Sequence, residues 1–121
     1  MANPNIVNVA TISGKTLGAA LTTSTADLVT NATSSGKIFK INSVYISNID
    51  GTTAAAATLT FYDASATTTY HVVKTVSVPA DSTLVAISKN EAIYLEEGDK
   101  ISGFADATGD LEVVISYEEI S

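Results

Sequence analysis

The chain predicts an all-β fold: an antiparallel, jelly-roll-like β-sandwich of roughly 8–10 short strands. Three observations carry this. Of its 121 residues, 39 are Thr, Val or Ile, side chains that suit strands and lose rotamer freedom in helices. Apolar and polar residues alternate with a period of two in several runs, most cleanly in the final one. Turn signals built on Gly, Pro, Asn and Asp recur about every 8–12 residues, and no stretch carries a helical period. With no internal repeat or linker, residues 1–121 read as one sandwich domain with a short arm at about residues 1–5.

Taken in order, the polar arm holds Pro4. Ile6 to Ile12 is apolar-rich and predicts a first strand, closed by a turn at Ser13-Gly14-Lys15. Thr16 to Thr22 predicts a small-residue strand that packs little and suits a sheet edge. Ala26 to Thr30 is another strand, and Asn31 to Gly36 a loop. In Lys37 to Asn48, Phe39 and Ile41 share one parity while Val44 and Ile46 share the other. Either both faces are partly buried, or a bulge near Asn42-Ser43 switches the parity. Asn48-Ile49-Asp50-Gly51 is a turn signal.

Ala55 to Asp63 alternates Ala57, Leu59 and Phe61 against Thr58, Thr60 and Tyr62. A small polar loop separates it from Tyr70 to Val78, where Tyr70, Val72, Lys74, Val76 and Val78 oppose His71, Val73, Thr75 and Ser77. Pro79 ends that run, because it cannot donate to a ladder. Thr83 to Ser88 and Ile93 to Leu95 follow as strands. Glu96-Glu97-Gly98-Asp99 is a turn in which Gly takes positive φ. Lys100 to Ala105 and Leu111 to Glu118, joined by a turn containing Gly109, predict an antiparallel hairpin. In the last strand Leu111, Val113, Ile115 and Tyr117 face the core.

Composition narrows function. A chain of this size buries roughly two thirds of its unfolded surface and needs no covalent staples. It has no Cys, which excludes disulfides, thiolate nucleophiles and Cys-ligated zinc. Six Lys, no Arg and 13 acids give a net charge of −7. Such a surface is poorly suited to phosphate backbones or anionic membranes, so neither nucleic acid nor membrane is expected as a partner. No apolar run approaches the ~18 residues of a membrane span, and no basic-then-apolar leader opens the chain. Export by that route is not expected.

Candidate chemistry is thin. Gly14-Lys15-Thr16 has the tail of a phosphate loop, but Val9 stands where the first glycine belongs. His71 is the single histidine and no Gly-x-Ser-x-Gly elbow exists. Glu96, Glu97, Asp99, Asp106 and Asp110 sit in turns, where turn chemistry accounts for them; a calcium loop there would not have EF-hand spacing. Asn31-Ala32-Thr33 is a glycosylation sequon by letter. A sugar platform would draw on Tyr45, Tyr62, Tyr70, Tyr94 and Tyr117; the core parity of Tyr70 and Tyr117 argues against one. No catalytic residue, cofactor or metal site is expected, and the chain does not read as an enzyme.

A resemblance adds to this. Val78-Pro79-Ala80-Asp81-Ser82-Thr83-Leu84, Ile93-Tyr94-Leu95-Glu96-Glu97-Gly98-Asp99 and Ile115-Ser116-Tyr117-Glu118-Glu119-Ile120 resemble small virion structural proteins of tailed bacteriophages, marine and cyanobacterial ones above all. Met1 to Val7 and Lys40 to Asn48 are similar to the same group. The resemblance implies a compact β-sandwich of the virion, a capsid decoration or cement protein. It would be made in the bacterial cytoplasm and bind the outside of the head as a homo-oligomer such as a trimer. Its partners would be the major capsid protein or other virion proteins. The alternative is a tail, neck, receptor-binding or carbohydrate-binding module. The interface expected from the residues is Ile6, Val7 and Val9, apolar positions directly behind the polar arm.

Overall fold

A computed structural model describes residues 3–121; Met1 and Ala2, the first residues of the expected arm, lie outside the described residues. The described chain forms two antiparallel sheets packed face to face, a β-sandwich as expected. In chain order the strands are β1 (Ile12–Ala20), β2 (Ala26–Thr30), β3 (Ile38–Asn48), β4 (Ala55–Asp63), β5 (Thr68–Val78), β6 (Thr83–Ile87), β7 (Ile93–Leu95), β8 (Lys100–Ala105) and β9 (Leu111–Ile120). One 3-10 turn, Lys89–Glu91, separates β6 from β7. The first sheet runs β1-β9-β3-β6, with β7 beside β6 on the same flank of β3; the second runs β2-β8-β4-β5. Circular dichroism should therefore show strand and almost no helix. A helix fraction above roughly a tenth would contradict the fold, against about a third in ordinary domains.

Between the sheets lies one apolar core. Ile41, Val44 and Ile46 of β3, Leu59 of β4, Ile101 of β8 and Leu111, Val113 and Ile115 of β9 are fully buried in it. β9 keeps one parity from Leu111 to Tyr117, and only Ile120 at its end is buried on the other. β3 does not: its register against β9 shifts between Ile41 and Ser43, which turns both Ile41 and Val44 inward. The bulge explains the parity change in mid-strand, and at the start of β3 Ile38 and Phe39 are both buried, so the two faces are partly covered there as well.

Two expectations fail. Ile6 to Ile12 is not a strand: β1 begins at Ile12 and runs straight through Ser13-Gly14-Lys15, the supposed turn. Local Gly and Lys signals yield to a nine-residue ladder with β9, from Ile12↔Ile120 to Ala20↔Glu112. Nor do β8 and β9 pair with each other. β8 lies between β2 and β4 in one sheet, β9 between β1 and β3 in the other. The turn at residues 106–110 is thus an arch across the ~10 Å between packed sheets, not a hairpin tip. Both uses suit the same short Gly-containing loop, so the loop's composition does not separate them.

Two buried asparagines fasten the ends of the sandwich. Asn31, fully buried after β2, donates through Nδ2 to the carbonyls of Lys37 and Leu95 at 2.9 and 3.0 Å. Asn48, at the end of β3, donates to Thr53 and Val78 carbonyls, both at 2.9 Å. Each amide ties one sheet to the other through groups that would otherwise be buried without partners. A side chain so enclosed cannot serve as the glycan acceptor that the letters at Asn31 suggest.

Candidate interface

The three residues singled out as an interface stand just before β1. Asn5 to Asn8 form a turn: the Asn8 amide donates to the Asn5 carbonyl at 3.1 Å, and the Val7 amide to Asn5 Oδ1 at 3.0 Å. The turn pushes its apolar side chains outward. Val7 is 91% exposed and Ile6 52%, while Val9 is half-buried. The segment is then tied down. Ala10 and Thr11 amides donate to the Ser121 carbonyl at 2.8 and 3.1 Å, and the Ser121 amide to the Thr11 carbonyl at 2.9 Å.

Immediately behind it runs β1, an edge strand paired only with β9. Of the sandwich's exposed edges it is the longest without a register break. β2 has five residues and a shift between Asp27 and Val29. β5 shifts twice against β4 and carries Thr75 at φ 51°. An edge distorted in this way is protected from pairing with another chain, whereas a straight one is open to it. Lys15, part-way along β1, is the kind of charge that blunts an edge, but it is drawn aside to Glu119 Oε2 at 3.0 Å. Glu119 also holds Lys37 Nζ at 3.0 Å; these two lysines keep its carboxyl below the usual range.

The other candidates disperse. Gly14, Lys15 and Thr16 lie in a strand, not in a phosphate-cradling loop. His71 is exposed on β5 opposite Thr60. Three of the five turn carboxylates are engaged with backbone donors. Asp99, 4% exposed, accepts from the Ala64 and Glu96 amides; burial pushes its carboxyl up. Glu97 Oε2 accepts from Gly36 at 2.7 Å, and Asp106 Oδ1 from Ala56 at 2.9 Å. Among the described residues no group of three or more Asp, Glu or His is placed to hold a metal ion. No helix among them is long and apolar enough to cross a membrane.

The tyrosines form no common cleft. Tyr117 stacks on Phe39 at 5.6 Å between ring centres, Tyr62 lies under Lys100 Nζ at 5.6 Å, and Tyr45 and Tyr94 stand on the outer face of the first sheet. Tyr70 is 52% exposed, contrary to its expected core position. It is still paired with Phe61, which packs on the core, so its exposure comes from its place on the edge strand β5 and not from the opposite face.

No known protein family matches this sequence, and no curated protein matches it. Solved structures match the fold. One belongs to the disulfide-linked pili of Bacillus endospore appendages: TM-score 0.55, 16% identity, covering 92% of this chain and 87% of the other. Another belongs to the acid-stable capsid of Helicobacter pylori bacteriophage KHP30: TM-score 0.51, 7% identity, covering 94% and 90%. At these identities the likeness defines a shared sandwich architecture.

Proposed function

We propose that the chain is a non-enzymatic virion structural protein that decorates the outside of a bacteriophage head, held there by the segment preceding β1. One observation carries this. Ile6 and Val7 are exposed at a turn anchored beside the straight free edge of β1, so an apolar hook and a strand-pairing template lie together. The two solved structures of similar fold described above come from assemblies, a pilus and a phage capsid, which supports an assembly role. The pili are described as disulfide-linked; this chain has no Cys, so its own attachments are non-covalent or rest on other chemistry.

The test is attachment to otherwise complete, undecorated particles by the full chain and by a chain lacking residues 1–9. The truncated chain should lose most attachment, and the full chain should keep it as salt rises, because apolar contact and backbone pairing are little screened. Retained binding after truncation, with loss of full-length binding in salt, would move the interface to the acidic turns. Circular dichroism confirms beforehand that the truncated chain folds. Binding to a glycan array without particle attachment would favour the receptor- or carbohydrate-binding alternative.

A further inference from the structure

The outer face of the first sheet carries two matched rows of side chains. Side chains paired across neighbouring antiparallel strands point to the same face. The registers therefore place Gly18, Val114, Tyr45 and Val85 in one row across β1, β9, β3 and β6. Two turns of the pleat further along, Gly14, Glu118, Lys40 and Tyr94 form a second row across β1, β9, β3 and β7. Val114, Tyr45, Val85 and Tyr94 are all 41–51% exposed, an unusual set of large side chains for one solvent-facing surface.

The two glycines have no reason within the chain. Neither has positive φ, and a Cβ built on either would meet nothing within 4 Å. Glycine weakens a strand, and one of its uses there is to let a ligand or another backbone approach closely. Beside Gly18 the surface dips into a hollow of about 330 Å³ bordered by Ala20, Glu112 and Val114.

We infer that two copies of this chain stack through these faces about a two-fold axis lying between β9 and β3, parallel to the strands. That operation preserves each row and exchanges its ends. Val85 of one copy meets Gly18 of the other, Tyr94 meets Gly14, and Tyr45 meets Val114. Glu118 meets Lys40, twice, by symmetry. At the ends of both rows a large side chain opposes a glycine, within them apolar opposes apolar and acid opposes base, which is the self-complementarity an isologous interface requires. Four strands at ~4.8 Å spacing and about nine residues long give a face of about 20 by 30 Å, or roughly 1,200 Å² over both copies. That is the size at which specific interfaces begin. The proposal deepens the homo-oligomer part of the preceding reading and rests on that part alone; it fixes the building block as a dimer, from which larger symmetric assemblies would be made.

Sedimentation velocity over about 1–100 µM tests it, since interfaces of this size reach micromolar affinity or better. The wild-type chain should pass from monomer to dimer. Gly18→Val should raise the dissociation constant at least about tenfold while leaving the melting temperature unchanged or higher, because valine suits a strand and meets open space. Lys40→Glu should also weaken the dimer, and Lys40→Glu with Glu118→Lys should restore it. A wild-type chain that stays monomeric throughout overturns the proposal, as does a dimer indifferent to both Gly18→Val and Lys40→Glu. A monomer whose attachment to particles is lost on Gly18→Val assigns the face to another virion protein and overturns the second copy as occupant. A normal dimer that fails to attach to particles upholds the stacking and removes only the decoration reading.

Discussion

Gly98→Val should lower the stability of the fold by about 4 kcal/mol, through two effects that act together. Gly98 has φ +89°, a conformation that strains a β-branched residue by ~1–3 kcal/mol. Its added Cβ would also lie 2.8 Å from Ala64 Cβ, and overpacking of this kind costs ~1–3 kcal/mol. Neither side can step away. The Ala64 amide is bound to Asp99 Oδ1 at 2.9 Å, and the Gly98 amide donates to the Asn31 carbonyl at 2.7 Å. Gly98→Ala keeps the clash but lacks the β-branch, so it should recover part of the loss. Urea denaturation decides the matter: an unchanged midpoint for the valine variant would mean that the turn relaxes freely.

Ile115→Ala should cost about 2–5 kcal/mol, the range for truncating a buried aliphatic side chain. Ile115 is fully buried in the middle of β9, paired with Leu17 of β1 and Val44 of β3. Its replacement leaves a void among strands fixed on both flanks, with little room to collapse. Ser116, one residue on, points to the outer face, and Ser116→Ala should be close to neutral. Equal midpoint shifts for the two variants would place the wrong face of β9 against the core.

What could be read from residues alone follows the physics of alternation. Ala55 to Asp63 is bounded by turns and alternates along its length, so its limits are legible to the residue; the alternation from Leu111 to Glu118 marks β9 but not its last two residues. The parity change in β3 was visible, and the Ile41/Ser43 shift resolves it as a bulge. β1 was displaced because Gly14 and Lys15 carry a turn signal that ladder formation with a strand about 100 residues away overrides. Sheet membership of β8 and β9 was not legible at all. A five-residue loop with a single glycine serves equally as hairpin and arch, and only packing distinguishes them. Within the candidate interface, Ile6, Val7 and Val9 stood out by being apolar next to a polar stretch. The outer-face rows did not stand out, because they join four strands far apart in sequence and become a surface only through register.

The position of β9 has a consequence for biosynthesis. It is an inner strand of its sheet, with β1 on one side and β3 on the other, yet it follows all eight other strands in chain order. Until Leu111 to Ile120 has been made, β1 has no partner, β3 has a bare flank, and half of the core face is uncovered. A nascent chain therefore cannot close this sheet step by step as it leaves the ribosome; it must hold open strand edges and then insert the last one between them. Such late, non-local pairing is slow, and it exposes the chain to mispairing with its neighbours on the same message. The acidic surface, through mutual repulsion among nascent copies, protects that interval.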